Sequence, residues 1–192
     1  MNREEITQIC EQEALDPAAR LFGTSKAGLT KIPDSEGCAN LVYEYLHNGQ
    51  ARMLRITYRT ERPVAVVQAE LHFVNYLADG GVRVSRPVLS ENGNLLEVIP
   101  AEGISFIVAS FIKGRGMRVP DNDYRYRVGA PMEEYYQNWG QVLGQMHRLT
   151  KSYHPISAAV RRPAWFDWEY ASGFPYREQL PAIAHKYDVL IA

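Results

Sequence analysis

The 192-residue sequence has only two cysteines, Cys10 and Cys38, far apart in the chain. That excludes a disulfide framework, and no Cys or His spacing matches a zinc or redox site. A reducing compartment, the cytoplasm, is therefore the expectation. Long apolar runs are missing too. The longest, Phe106 to Ile112, is interrupted by Ser110 and falls well short of the roughly 20 residues of a membrane span. The opening residues, Met-Asn-Arg-Glu-Glu-Ile, are acidic and helix-like, unlike a signal peptide, so no membrane partner is expected. A net charge of -1 leaves no excess of one sign, which argues against a nucleic-acid partner. The local clusters Arg52/Arg55/Arg59/Arg62 and Arg161-Arg162 read, as clusters, as solvated faces. His47, His72, His147, His154 and His185 stand apart from Cys and Asp, and G-x-S-x-G is absent, so Ser-His-Asp catalysis has no motif. Asp121, Asn122, Asp123 and Asp167 read as turn and cap residues. There are no internal repeats and no low-complexity segment.

What is present suits a core. With 46% apolar residues, 12 Tyr and 3 Trp, the chain can build one domain or a little more. Asn2 caps a first helix that should fail before Pro17, with Ile6, Ile9 and Cys10 on one face. Leu29 to Ile32 reads as a strand, followed by a turn-rich stretch. Leu41, Tyr43 and Tyr45 alternate with their neighbours as a period-2 strand. His47-Asn48-Gly49-Gln50 is a hairpin turn, and Arg52 to Tyr58 returns as a third strand. Pro63 opens a helix whose Val67, Leu71, Val74 and Ala78 share a face, and Gly80-Gly81 stops it. Pro87 to Leu89 and Asn94 to Ile99 read as a hairpin, and Ser105 to Ile112 as a further strand. The core is read as five antiparallel strands with one helix inserted after the third. Lys113-Gly114-Arg115-Gly116 breaks the pattern and sets a boundary between residues 1–113 and 114–192. Beyond it, residues 120–128 are polar and irregular. Pro131 then opens a long helix with the stripe Met132, Tyr135, Tyr136, Trp139, Leu143, Met146 and Leu149. Residues 153–175 read as loop. A last helix starts near Gln179, with Ile183, Tyr187, Leu190 and Ile191 on one face.

The order strand, Gly-containing loop, strand, hairpin, strand, helix is the frame of a kinase small lobe. In that frame a loop covers phosphates, a strand cation grips them, and a helix carboxylate holds the cation. Arg55 is the candidate cation, able to bridge nucleotide phosphates with its planar fork; the plain alternative is a strand arginine snorkelling to solvent. Glu70 is the candidate carboxylate, since an unpaired acid facing the sheet would be costly; the plain alternative is that it points to water. Gly37, Cys38, Ala39 and Asn40 are the candidate phosphate cover, because backbone N–H groups near a Gly approach phosphate closely. With a single Gly, G-x-G-x-x-G is not met. The strand through Phe106 to Ile112 offers backbone groups for a base.

At these residues the chain resembles the N-terminal part of the aminoglycoside phosphotransferase and choline kinase-like family. The similar segments are Asn40-Leu41-Val42-Tyr43-Glu44, Met53-Leu54-Arg55-Ile56, Ala69-Glu70-Leu71-His72-Phe73, Val84-Ser85-Arg86-Pro87-Val88-Leu89 followed by Asn92-Gly93, and the helix segment Trp139 to His147. The resemblance implies an α+β fold: a protein kinase-like small lobe, a five-stranded antiparallel sheet plus helix, followed by an incomplete helical C-lobe. It implies a kinase that uses ATP or GTP with Mg and moves the γ-phosphate to the hydroxyl of a small molecule such as an aminoglycoside, choline, homoserine or a sugar. Some branches phosphorylate proteins. On this resemblance Arg55 stands where the phosphate-gripping Lys does, Glu70 is its helix partner, and the Ser110 carbonyl and Ile112 N–H face the base. The family's H-x-D-x-x-x-x-N loop follows none of the five histidines. The sequence is therefore expected to stop just before the catalytic loop and to be inactive by itself, with no catalytic or metal-binding residue assigned. Apolar residues Trp165, Trp168, Ile183, Tyr187, Leu190 and Ile191 would then favour self-association. The alternative is a non-catalytic nucleotide- or protein-binding module derived from a kinase small lobe. A third reading is an unrelated sheet domain that binds a protein.

Overall fold

The computed structural model describes residues 2–33, 40–58, 63–114, 129 and 131–156. Helix α1 (Arg3–Ile9) starts at a capping box: the Glu5 N–H donates to Asn2 Oδ1 at 2.9 Å and the Asn2 N–H to Glu5 Oε2 at 2.9 Å. The expected break before Pro17 does not occur. A π-helical turn, Cys10–Ala14, runs into α2 (Leu15–Leu21), and Pro17 sits in the first turn of α2. The Leu15 N–H reaches back to the Cys10 carbonyl, a widened turn that realigns the backbone before the proline. In a first turn, the donor that proline lacks is dispensable.

Strands β1 (Thr30–Lys31), β2 (Asn40–His47) and β3 (Gln50–Thr57) form an antiparallel meander. The β2–β3 turn has Asn48 at φ 50° and Gly49 at φ 76°, the two positive values that a tight hairpin needs. Helix α3 (Val64–Asp79) follows; Gly81, at φ 81°, ends it, with its N–H on the Ala78 carbonyl.

Strands β4 (Pro87–Val88), β5 (Glu97–Ala101) and β6 (Ile104–Ile112) complete a six-stranded sheet rather than five. The expected hairpin of Pro87–Leu89 with Asn94–Ile99 is also corrected. β4 and β5 both pair with β6, β4 near its end and β5 near its start. Residues between them turn instead of pairing: the Ser90 N–H donates to the Asn94 carbonyl at 2.8 Å, and side chains of Ser90, Asn92 and Asn94 converge on Glu97.

The sheet has two different faces. Leu41, Tyr43, Tyr45, Leu54, Ile56, Phe106 and Val108 pack with Cys10, Ala14, Leu15, Ala18 and Phe22 of the N-terminal helices. On the other face Ile107 and Ala109 meet Val67 and Leu71 of α3. Register explains the division. Val42, Arg55 and Ala109 lie side by side, so they share the α3 face, while Tyr43, Leu54 and Ser110 share the opposite one. Helix α4 (Met132–Thr150) begins after Pro131, as its pattern predicts, and Tyr135, Tyr136, Trp139 and Leu143 of its apolar stripe are exposed. The boundary residues Arg115 and Gly116 and the last expected helix lie outside the described residues. None of the described helices is long and apolar enough to cross a membrane.

Candidate functional site

Arg55 is the sixth residue of β3, and Glu70 lies in the second turn of α3, which packs across that face. The two meet: Arg55 Nη1 donates to Glu70 Oε1 at 2.7 Å. Each side chain is 19% exposed, so the reading of Glu70 as a water-facing acid is set aside, and so is the solvated-cluster reading for Arg55. A charge-assisted bond at this depth fixes the guanidinium in one orientation. The Phe111 ring, on the same face, stands 4.9 Å from Arg55 Cζ. Arg55 Nε and Nη2 are buried and, among the described residues, have no hydrogen-bond partner. A guanidinium with one nitrogen anchored and two nitrogens unpaired among the described residues keeps N–H groups that can donate to an anion's oxygens.

Other groups lie along this face. Asn40 opens β2, and its Oδ1 accepts from Thr57 Oγ1 at 2.9 Å. At the far end of the sheet Lys113 Nζ donates to Glu44 Oε2 at 2.6 Å. Gly37, Cys38 and Ala39 lie outside the described residues. The two base-facing candidates are placed differently from Arg55 and Glu70. Ser110 is paired with Val88 across the β4–β6 ladder, and its hydroxyl contacts Tyr45 Oη at 2.7 Å on the opposite face. The Ile112 N–H donates to the Arg86 carbonyl at 2.8 Å. The structure thus brings Arg55 and Glu70 together, sets Asn40 on their face, and commits the Ile112 N–H to a strand neighbour. Sequence reading missed Phe111 and the Glu44–Lys113 pair. The signal for Phe111 was its place two residues after Ala109 in β6, which register puts beside Arg55; nothing short of register marks Glu44 and Lys113.

Titration adds one feature remote from this site. Burial, reinforced by the charge of Glu11, pushes the Cys10 thiol up to about 12. Among the described residues no group of three or more His, Cys, Asp or Glu could hold a metal ion.

Known proteins share this frame. The chain is 32% identical over 160 residues to amicoumacin kinase of Bacillus subtilis (strain 168), covering 83% of this chain and 45% of that relative. It is 24% identical over 120 residues to homoserine kinase of Cupriavidus necator, covering 62% of this chain and 32% of that one. The solved structure of amicoumacin kinase hAmiN in complex with AMP-PNP, Ca2+ and Ami superposes with a TM-score of 0.72 at 29% identity, over 90% of this chain and 49% of that chain. The chain therefore spans less than half the length of the relatives it matches. The small lobe of a protein kinase-like fold, expected from the sequence, is the fold it has. Because residues 31–191 match the model described as "Phosphotransferase enzyme family", the chain belongs to that family of phosphotransferases.

Proposed function

We propose that this chain is the nucleotide-gripping part of an ATP- or GTP-dependent kinase that phosphorylates a hydroxyl on a small molecule. One observation carries the reading: Arg55 is locked by Glu70 through Nη1 while, among the described residues, Nε and Nη2 remain unspent. The nucleotide, when bound, supplies the transferable phosphoryl group. Arg55 would hold its phosphate oxygens through the free side of the guanidinium. Glu70 would keep that side aimed and balance part of the charge when the site is empty. Phe111 would shift from the guanidinium as the phosphates arrive. Gly37, Cys38, Ala39 and Asn40 would cover them with backbone N–H groups. The base would use the edge near Ser110 and Ile112, exchanging the Ile112–Arg86 bond for its own.

Mg would enter with the nucleotide, and we assign it no ligand among the described residues. The names of the relatives point to small molecules as acceptors. The 192 residues contain no H-x-D-x-x-x-x-N, so we place the catalytic base and metal ligands outside them. We also propose a cytoplasmic setting, and self-association of the isolated polypeptide through exposed apolar surface, with Trp139 and Tyr136 of α4 as the described part of it.

Calorimetric titration with AMP-PNP and Mg tests the grip. Arg55→Ala and Glu70→Ala should each weaken binding about tenfold or more, the size expected when a charge-assisted contact is lost. Their melting temperatures should change far less than the affinity. Unchanged affinity in both variants, or loss of affinity that only tracks unfolding, would sink the reading.

A further inference from the structure

Three residues beyond Glu70 on α3 stands Phe73, and three beyond that Tyr76. The Tyr153 ring, just past the end of α4, seats against both, with centroids 5.0 Å from Phe73 and 5.0 Å from Tyr76. Tyr76 Oη donates to the Leu149 carbonyl at 3.1 Å and contacts Ser152 Oγ at 3.1 Å. Farther along, the Leu149 side chain fills the space beside Gly80 so fully that a Cβ there would overlap it. Rings, hydroxyl and leucine thus clasp the C-terminal half of α3 to the end of α4. The N-terminal half of α3 is held by the sheet, through Val67 and Leu71. Glu70 lies at the C-terminal end of the sheet-held part, between Val67 and Leu71, and three residues before Phe73 of the clasp.

We propose that Tyr153, acting with Tyr76, is a positioning residue for the Arg55–Glu70 pair, so that the segment after α4 sets the geometry of the phosphate grip. The inference rests on the nucleotide role given above to Arg55 and Glu70. The physical reason is stiffness. A helix transmits a displacement along its length, and a 2.7 Å ion pair keeps its strength only within about half an ångström of its best geometry. Releasing one end of α3 lets Glu70 drift, and Arg55 then turns its free donors away from the phosphates. The clasp also ties the two sides of the 113/114 boundary, because Phe73 and Tyr76 precede it and Tyr153 follows it.

A double-mutant cycle on the 192-residue chain tests this, using AMP-PNP with Mg as the probe and recording the melting temperature of every variant. Tyr153→Ala should weaken binding about tenfold in the wild-type background and less than about twofold when Glu70 is already Gln, because the two substitutions share one route. Tyr153→Phe, which keeps the ring, should restore near-wild-type affinity. The melting shift caused by Tyr153→Ala should be the same in both backgrounds. A full tenfold loss in the Glu70→Gln background, or no loss in either, overturns the positioning role while leaving the grip intact. If Glu70→Gln alone leaves affinity unchanged, or the wild-type chain does not bind AMP-PNP, the grip itself fails and the inference falls with it. Should Tyr153→Ala not fold, Tyr76→Phe removes only the two hydroxyl contacts and carries the same cycle.

Discussion

Arg55 is held at one nitrogen and, among the described residues, unspent at two others, and that asymmetry makes the choice of arginine testable. Lysine in its place would keep the charge but lose the planar fork, so it could serve Glu70 or the phosphates well but not both at once. Arg55→Lys should therefore bind AMP-PNP more weakly than wild type and more tightly than Arg55→Ala, as titration would show. Cys10 gives a second residue-scale prediction. Its thiol is neutral in the fold, with its ionisation pushed from 9.0 to about 12 by burial. An unfolded thiol ionises at the lower value, so the contribution of Cys10 is complete below pH 9 and is lost as pH rises toward 12. Urea midpoints should fall across that window, and the fall should be shallower in Cys10→Ala; equal slopes would remove Cys10 as the cause. Sequence alone flagged Arg55 and Glu70 because each residue type sat in a recognisable frame. It could not flag Phe111, whose ring lies over Arg55 only because β6 pairs with β3 in one particular register.

Among the elements, the β2–β3 hairpin and the end of α3 behaved as their residue types require. Asn48 and Gly49 turn the chain with positive φ, and Gly81 does so at the helix end. At Gly49 a Cβ would meet nothing within 4 Å, so the cost of Gly49→Ala is backbone strain alone. That substitution should lower stability by about 1–2 kcal/mol in denaturant titration while leaving AMP-PNP affinity unchanged. The N-terminal helix departs from its pattern because the turn before the proline is widened. The π-helical turn from Cys10 shifts the backbone so that Pro17 falls where a missing donor is harmless. The β4–β5 hairpin departed for a different reason. Glu97 gathers Ser90, Asn92 and Asn94 into a local turn, and the free edge of β6 is long enough to pair both strands in succession.

For the molecule as a whole, the packed sheet contrasts with the outward face of α4. The sheet, α3 and the N-terminal helices enclose two packed clusters, whereas α4 turns Tyr135, Tyr136, Trp139 and Leu143 outward. Trp139, at 58% exposed, is the natural site to probe. In sedimentation runs the 192-residue chain should self-associate, and Trp139→Glu should reduce that without lowering the affinity for AMP-PNP. No phosphotransfer above background is expected from this polypeptide with AMP-PNP replaced by ATP or GTP and any hydroxyl acceptor. Robust turnover would place the catalytic base within these residues and overturn that part of the proposal. A longer chain that adds H-x-D-x-x-x-x-N should gain turnover that Arg55→Ala then lowers.

The sequence by itself determined the family frame: alternating strands, an Asn-Gly turn, a helix ended by two glycines, and a strand cation with a helix acid 15 residues later. These features are local, set by side-chain period, turn chemistry and spacing, so they can be read without knowing what packs on what. Only the tertiary structure decided that Arg55 and Glu70 meet at 2.7 Å, that Phe111 covers the guanidinium, that Arg86 takes the Ile112 N–H, and that Tyr153 clasps α3. Each depends on strand register or on which helix end touches which, and a one-residue slip in register moves every side chain of a strand to the other face.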